Sequence, residues 1–198
     1  LGGKISAVYF PERETEGYGI TETGLEALKK KSPALLVALD CGIGNVKEVA
    51  LANKLGFKVI IVDHHEPLDK LPAAEIIVDP KQKDDQYSFK KLACAGVAFK
   101  LSEVLLGEKM TESLRNNFLE LTAIATVADM MPQESENKIF TEEGLACLPE
   151  SWRPGIQAFF KLPDFSVSKM ISILNVRDVK NQLPASYRLL VCSSLEEA

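Results

Sequence analysis

The chain has 198 residues, 46% of them hydrophobic, enough to bury a substantial single core. Its net charge of −5 and pI near 5.2 exclude a protein defined by broad electrostatic attraction to nucleic acid. No apolar run approaches a membrane span, the N-terminus lacks a charged-then-apolar signal pattern, and Cys41, Cys94, Cys147 and Cys192 lie far apart with no paired spacing, which argues against a zinc knuckle and for free thiols in a reducing cytoplasm.

In chain order, the residue pattern predicts a strand over 5–10 and a helix over 23–31 that breaks before Pro33. Leu35-Leu36-Val37-Ala38-Leu39 is an apolar run ending in a carboxylate, Asp40. Cys41-Gly42-Ile43-Gly44 reads as a flexible turn, and Asn45, with Glu48 three residues on, as the N-cap of a helix that runs to about Leu55 and stops at Gly56. Val59-Ile60-Ile61-Val62 is the next strand. Directly after it stand the only two histidines of the chain, in Asp63-His64-His65.

Strand, helix and strand over this short stretch make a right-handed βαβ unit with two parallel, neighbouring strands. Asp40 and the Asp63-His64-His65 triplet then emerge at adjacent carboxyl tips, the edge where open α/β sheets place ligands. Carboxylate and imidazole together are the donors of a divalent-metal site. Further on, a short strand is expected over 76–78, a polar loop over 79–88, and helices over 96–106 and 111–127. The stretch 119–128 is apolar or small almost throughout and ends at Asp129, an acid whose burial would call for a neutralising cation. From Gly144 onward the pattern is helical, interrupted by Pro149, Pro154, Pro163 and Pro184, and Ser193-Ser194-Leu195-Glu196-Glu197 has capping-box spacing for a last helix. One domain is expected, with no repeat and no linker: α/β, with a mostly parallel β-sheet flanked by helices and a helical C-terminal part.

Asp40 after a strand, the Asp63-His64-His65 triplet, and Ala128-Asp129 ahead of Pro132 resemble the second, third and fourth motifs of the DHH phosphoesterase superfamily. Within it the likeness is closest to the RecJ-type single-strand-specific DNA exonucleases. Tyr9-Phe10-Pro11-Glu12-Arg13 with Glu16-Gly17-Tyr18-Gly19 is similar to the family's IPxRxxEGYG segment. Asp79-Pro80-Lys81-Gln82, Asp84-Asp85, Tyr87, Phe89-Lys90 and Gly96-Val97-Ala98-Phe99-Lys100-Leu101 resemble the segment after the triplet. Glu136-Asn137-Lys138 and Arg153-Pro154-Gly155 resemble stretches after the last acid. The likeness thus runs in order over nearly the whole chain. Two parts of the pattern are missing: the first motif, with its strand, and the small C-terminal domain of DHHA1 type. The chain also begins with Leu1, and is therefore expected to be an excised piece, 1–198, of the catalytic domain. Where the family shows an Asn-Ala-Ala-Gly-Arg-like stretch, this chain has Asn175-Val176-Arg177-Asp178.

The resemblance implies a hydrolase with two divalent cations, typically manganese with magnesium as the alternative, that activate a water to attack phosphorus. It makes Asp40 the ligand shared by both ions, and His64 and Asp129 the ligands that complete the second position. His65 becomes the hydrogen-bond or proton donor to the scissile phosphate, and Asp63 the residue that orients a neighbour. The implied substrate is single-stranded DNA, cut from the 5′ end in repair and recombination, with single-strand-binding or recombination proteins as partners. Without the first motif, residues 1–198 alone are expected to bind manganese weakly and hydrolyse little. The residues leave other readings open. Asp40 could be a turn acid, Asp129 a helix-end acid, and Arg13 either a phosphate clamp or a surface partner of Glu12, Glu14 or Glu16. Lys29-Lys30-Lys31 and Lys90-Lys91 read foremost as solvated faces. A phosphodiesterase for short oligoribonucleotides or cyclic dinucleotides, and a non-catalytic scaffold of the same fold, are the alternative functions.

Overall fold

The computed structural model describes residues 3–175, 179–180 and 183–194. It divides into two compact units, Leu1–Ala98 and Phe99–Ala198. The boundary falls inside a helix rather than in a polar linker, which is why composition along the chain gave no sign of it.

The first unit holds helix α1 (Glu22–Leu28), strand β1 (Ala34–Leu39), helix α2 (Val46–Lys54) and strands β2 (Phe57–Val62) and β3 (Ile76–Val78). Helix α3 (Cys94–Leu106) starts in this unit and carries the chain across the boundary. The sheet order is β1-β2-β3 and both pairings are parallel, with Leu39 opposite Val62 and Val62 opposite Val78. The three strands therefore end level with one another, and the residue after each tip is an aspartate: Asp40, Asp63 and Asp79. Central β2 is mostly buried, as a near-continuous β-branched run in a parallel sheet should be. Leu25, Ala38, Val49, Ala52, Phe57, Val59 and Ile61 form the core under the sheet. On the other face of β1, Leu35, Val37 and Leu39 are exposed, so the alternation of a half-covered strand holds there.

Two local expectations fail for physical reasons. Residues 5–10 belong to no strand, because no ladder among the described residues pairs with them. Asn45 sits at the N-cap position of α2, but its side chain makes no cap hydrogen bond. Its Oδ1 accepts from the Ile20 N–H at 3.1 Å, and its Nδ2 donates to the Ile20 carbonyl and to Glu48 at 3.2 Å each. The amide thus clasps the segment ahead of α1 instead of closing a capping box. Gly19 permits this approach: it has φ +95°, and a Cβ there would meet Asn45 Oδ1 at 2.4 Å. Gly56, at φ +90°, ends the crossover helix as expected.

The second unit is helical, with α4 (Glu112–Ala128), α5 (Ser135–Cys147), α6 (Pro154–Phe160), α7 (Val167–Leu174), a two-residue antiparallel pair β4 (Val179–Lys180) and β5 (Leu183–Pro184), and α8 (Ala185–Val191). The prolines fall where they cost least. Pro149 lies in the single 3₁₀ turn after α5, Pro154 is the first residue of α6, and Pro184 precedes α8. Helix α5 begins at Ser135, earlier than the helical pattern placed from Gly144 onward. Glu120 is buried on α4 against Ser151 and the Arg153 guanidinium, a pairing a buried acid requires. Residues 176–178, and the last helix expected from the capping box over 193–197, lie wholly or largely outside the described residues.

Helices α4 and α5 approach closely at Gly144, where an added Cβ would stand 2.2 Å from the Leu119 carbonyl oxygen and 2.6 Å from Ala123 Cβ. Backbone cannot swing aside as a flexible side chain can. Gly144→Ala is expected to destabilise the protein by about 1–3 kcal/mol despite alanine's better helix propensity, read as a lower midpoint in urea unfolding.

Candidate metal centre

The site forms at the carboxyl tips of β1 and β2. Parallel pairing brings Asp40 beside Val62, with the Asp40 N–H donating to the Val62 carbonyl at 3.0 Å. Asp40 has φ +60°, a left-handed conformation that costs most side chains about 1–2 kcal/mol and that Asp tolerates better than most. Its carboxylate is half exposed and lies 3.3 Å from His64 Nε2. Ligand atoms of Asp40, His64 and His65 all fall within 4.8 Å of one another, the grouping suited to a metal among the described residues.

The triplet does not emerge into solvent as a whole. Asp63 is fully buried, His64 is nearly so at 6%, and only His65 is exposed. Asp63 survives burial because its carboxylate collects donors. Oδ2 accepts from the Ile43 N–H at 3.0 Å, in the turn after β1, while Oδ1 accepts from the N–H groups of His64 at 2.8 Å and His65 at 3.3 Å. His65 Nδ1 adds a fourth contact to Oδ1 at 2.7 Å. Burial pushes this carboxyl up, but the Ile43 N–H, the His65 ring and the His64 N–H outweigh it and hold the group below the usual aspartate range.

The two imidazoles use Nδ1 differently. His64 Nδ1 lies 2.9 Å from the Leu92 carbonyl, which can only accept, so Nδ1 carries the hydrogen and Nε2 is left as the lone pair facing Asp40. A lone pair and a carboxylate oxygen at 3.3 Å need a proton or a cation between them. Carboxylate and imidazole suit manganese among divalent ions, and a carbonyl holding the far nitrogen is the usual support of a metal-ligating histidine. The donor set therefore fits the expected group. His65, by contrast, turns Nδ1 to the Asp63 carboxylate, which fixes the orientation of its ring. The rings of His64 and His65 meet edge to face at 4.5 Å.

Tyr18 and Arg13 border the site. The Tyr18 hydroxyl donates to the Asp40 carbonyl, its ring meets that of His65 edge on at 5.9 Å, and the Arg13 guanidinium lies over it at 4.9 Å. Arg13 pairs with none of the nearby glutamates: Glu16 accepts from the Tyr9 and Thr21 hydroxyls, and Glu12 from Thr15. Two contributors were not read from the sequence. The Leu92 carbonyl is backbone and has no residue signature, and Cys94, read only as a free thiol, is buried against both strand tips. Its Sγ accepts from the Asp40 N–H at 3.1 Å and donates to the Val62 carbonyl at 3.2 Å. Burial and the nearby Asp40 carboxylate push this thiol up to about 12.

Asp129 stands in the second unit as the C-cap of α4 and is exposed, so burial supplies no argument for a cation there. Asp79, after β3, is buried. Its Oδ1 accepts from the Lys81 N–H at 2.8 Å, whereas Oδ2 has no partner, and burial raises its pKa.

A parallel sheet whose strand tips gather aspartates and a histidine pair, preceded by a Tyr-bearing loop, agrees with a match of residues 3–126 to the DHH family, N-terminal domain; the chain belongs to that family. It is similar to the single-stranded-DNA-specific exonuclease RecJ of Bacillus subtilis, 43% identical over 80% of this chain, and to RecJ of Escherichia coli, 32% identical over 95% of it. A crystal structure of exonuclease RecJ bound to manganese superposes on 94% of the chain with a TM-score of 0.79 at 27% identity. The chain spans 20% and 36% of those two curated relatives and 49% of that crystal chain. Among the described residues no helix is long and apolar enough to cross a membrane.

The loop before α1 carries a titratable support. Hydrogen bonds from the Tyr9 hydroxyl and the Glu12 N–H hold Glu16 below its ordinary value near 4.5. A folded value below the unfolded one gives stability that is present above about pH 4.5 and lost as pH falls through the folded value. The stability gap between the wild type and Glu16→Gln is therefore expected to narrow from pH 6 to pH 3. Chemical denaturation across that range checks it; a gap that stays constant with pH would rule out a carboxylate contribution.

Proposed function

We propose that this chain carries the catalytic α/β domain of a metal-dependent phosphodiesterase that removes mononucleotides from the 5′ end of single-stranded DNA, in repair and recombination in the cytoplasm. The observation that carries the reading is the convergence of Asp40, His64 and His65 ligand atoms within 4.8 Å. The substrate class comes from relatives that are single-stranded-DNA-specific exonucleases, and the metal from a neighbour bound to manganese. Manganese, with magnesium as the alternative, would supply an activated water and charge stabilisation for in-line displacement at phosphorus.

Asp40 and His64 act as ligands, and Asp129 joins them on the strength of the family resemblance. Asp63 holds His65 by Nδ1, which leaves Nε2 to donate a hydrogen bond or proton to a phosphate oxygen. Arg13, over the Tyr18 ring and in no ion pair among the described residues, has its guanidinium fork available for a phosphate group. Partners of the whole protein would be single-strand-binding or recombination proteins.

The test is a product-resolved, manganese-dependent digestion by the full-length natural protein, offered 5′-labelled single-stranded DNA and a dinucleotide in parallel. Mononucleotides should leave the DNA 5′ end, His64→Ala should abolish the reaction, and His65→Ala should slow it by about 10²–10⁴-fold. Cleavage of the dinucleotide alone would assign the protein to the small-nucleotide phosphodiesterases. Cleavage of neither would favour the scaffold.

A further inference from the structure

We propose that Cys94 and Tyr18 are positioning residues that grip the backbone of Asp40 from both sides and thereby aim its carboxylate at His64. The inference rests on the metal-centre reading above and adds two residues to it. The Asp40 side chain is half exposed at 53%, so little packing fixes its direction. What fixes it is the backbone, and that backbone holds a left-handed conformation at φ +60°.

The ladder supplies one restraint, the Asp40 N–H to the Val62 carbonyl at 3.0 Å. The other two come from side chains outside the strand pair. Cys94, the first residue of α3, closes a triangle on that last rung: its sulfur accepts from the same Asp40 N–H and returns its own hydrogen to the same Val62 carbonyl. A thiol can do this because it is both donor and acceptor; a serine hydroxyl can as well, and a methyl group cannot. At the next peptide group, beyond the Asp40 Cα, the Tyr18 hydroxyl donates to the Asp40 carbonyl. Val62 stands two residues before His64, so the Cys94 triangle joins the backbone segments that carry both ligands.

The experiment is a manganese titration of the full-length natural protein, read by loss of the free-ion EPR signal, with metal-free thermal unfolding in parallel. Variants are Asp40→Asn, Cys94→Ala, Cys94→Ser and Tyr18→Phe. Asp40→Asn should remove the site. Cys94→Ala and Tyr18→Phe should each weaken manganese binding about tenfold, the lower end of what loss of a ligand's supporting group costs, while Cys94→Ser restores it. Tyr18 is exposed, so Tyr18→Phe leaves the fold unthreatened and keeps the test decisive if Cys94→Ala unfolds. Wild-type affinity in Tyr18→Phe and Cys94→Ala, alongside loss in Asp40→Asn, would overturn the grip and leave the metal centre standing. Wild-type affinity in Asp40→Asn would overturn the metal centre, and the grip with it.

Discussion

The site depends on one buried carboxylate. Asp63 has no exposed surface, and an uncompensated charge there would cost several kcal/mol. Three backbone N–H groups and one imidazole offset that cost, and each ties down a different piece of the site. The Ile43 N–H fixes the turn between Asp40 and α2. The N–H groups of His64 and His65 bend the chain sharply at the end of β2, so that the two rings can share one corner. The His65 ring completes the set and receives its orientation in return. This arrangement gives two adjacent, chemically identical side chains different surroundings. A neutral carbonyl on His64 Nδ1 leaves Nε2 facing Asp40, whereas the Asp63 carboxylate holds His65 by its Nδ1.

Parallel topology explains why such a corner exists. Level strand ends place an aspartate after β1, β2 and β3 in one row, and the environment gives each a different state. Asp40 is half exposed and faces an imidazole. Asp63 is buried and fully bonded. Asp79 is buried with one oxygen lacking a partner, and its carboxyl is correspondingly easier to protonate. One residue type at equivalent register positions thus divides into a half-exposed carboxylate facing an imidazole, a buried and fully bonded one, and a buried acid with one oxygen unmatched, through burial and available donors alone.

Much of this arrangement was legible in the residues. Val59-Ile60-Ile61-Val62 could only be a buried strand, the Asn45 to Gly56 segment a crossover, and the tips of two parallel strands a place where Asp40 meets His64; contact between them follows from strand register, which the apolar runs define. What stayed illegible was carried by backbone or by context. The Leu92 carbonyl that selects the His64 tautomer has no residue identity to read. Cys94 looks like any free thiol until α3 is docked on the strand ends. Asn45 is a sound N-cap by type, but a tertiary partner, the Ile20 peptide, outcompeted the local bond. Residues 5–10 have the composition of a strand without a described neighbour to pair with, and β structure is a property of the pair.

The acidity of the chain bears on how it would meet a polyanion. Several basic side chains in the two units are engaged by acids: Lys29 with Glu26, Lys81 with Glu66, Lys90 with Asp85, Lys100 with Glu136, Arg115 with Glu103 and Glu143, and Arg153 with Glu120. With a net charge of −5 the chain as a whole offers no attractive long-range field to a phosphate backbone, and salt screens charges beyond about 8–10 Å. Attraction has to be local. Bound dications are the largest charges such a site can hold, and they reverse the sign that its own carboxylates present. Arg13, stacked on Tyr18 and so one aromatic ring from His65, adds a cation whose charge is not spent on a neighbouring acid. On the proposed function, a net negative chain would act on phosphodiesters by concentrating recognition at the strand tips, where Asp40, His64, His65, Tyr18 and Arg13 lie together.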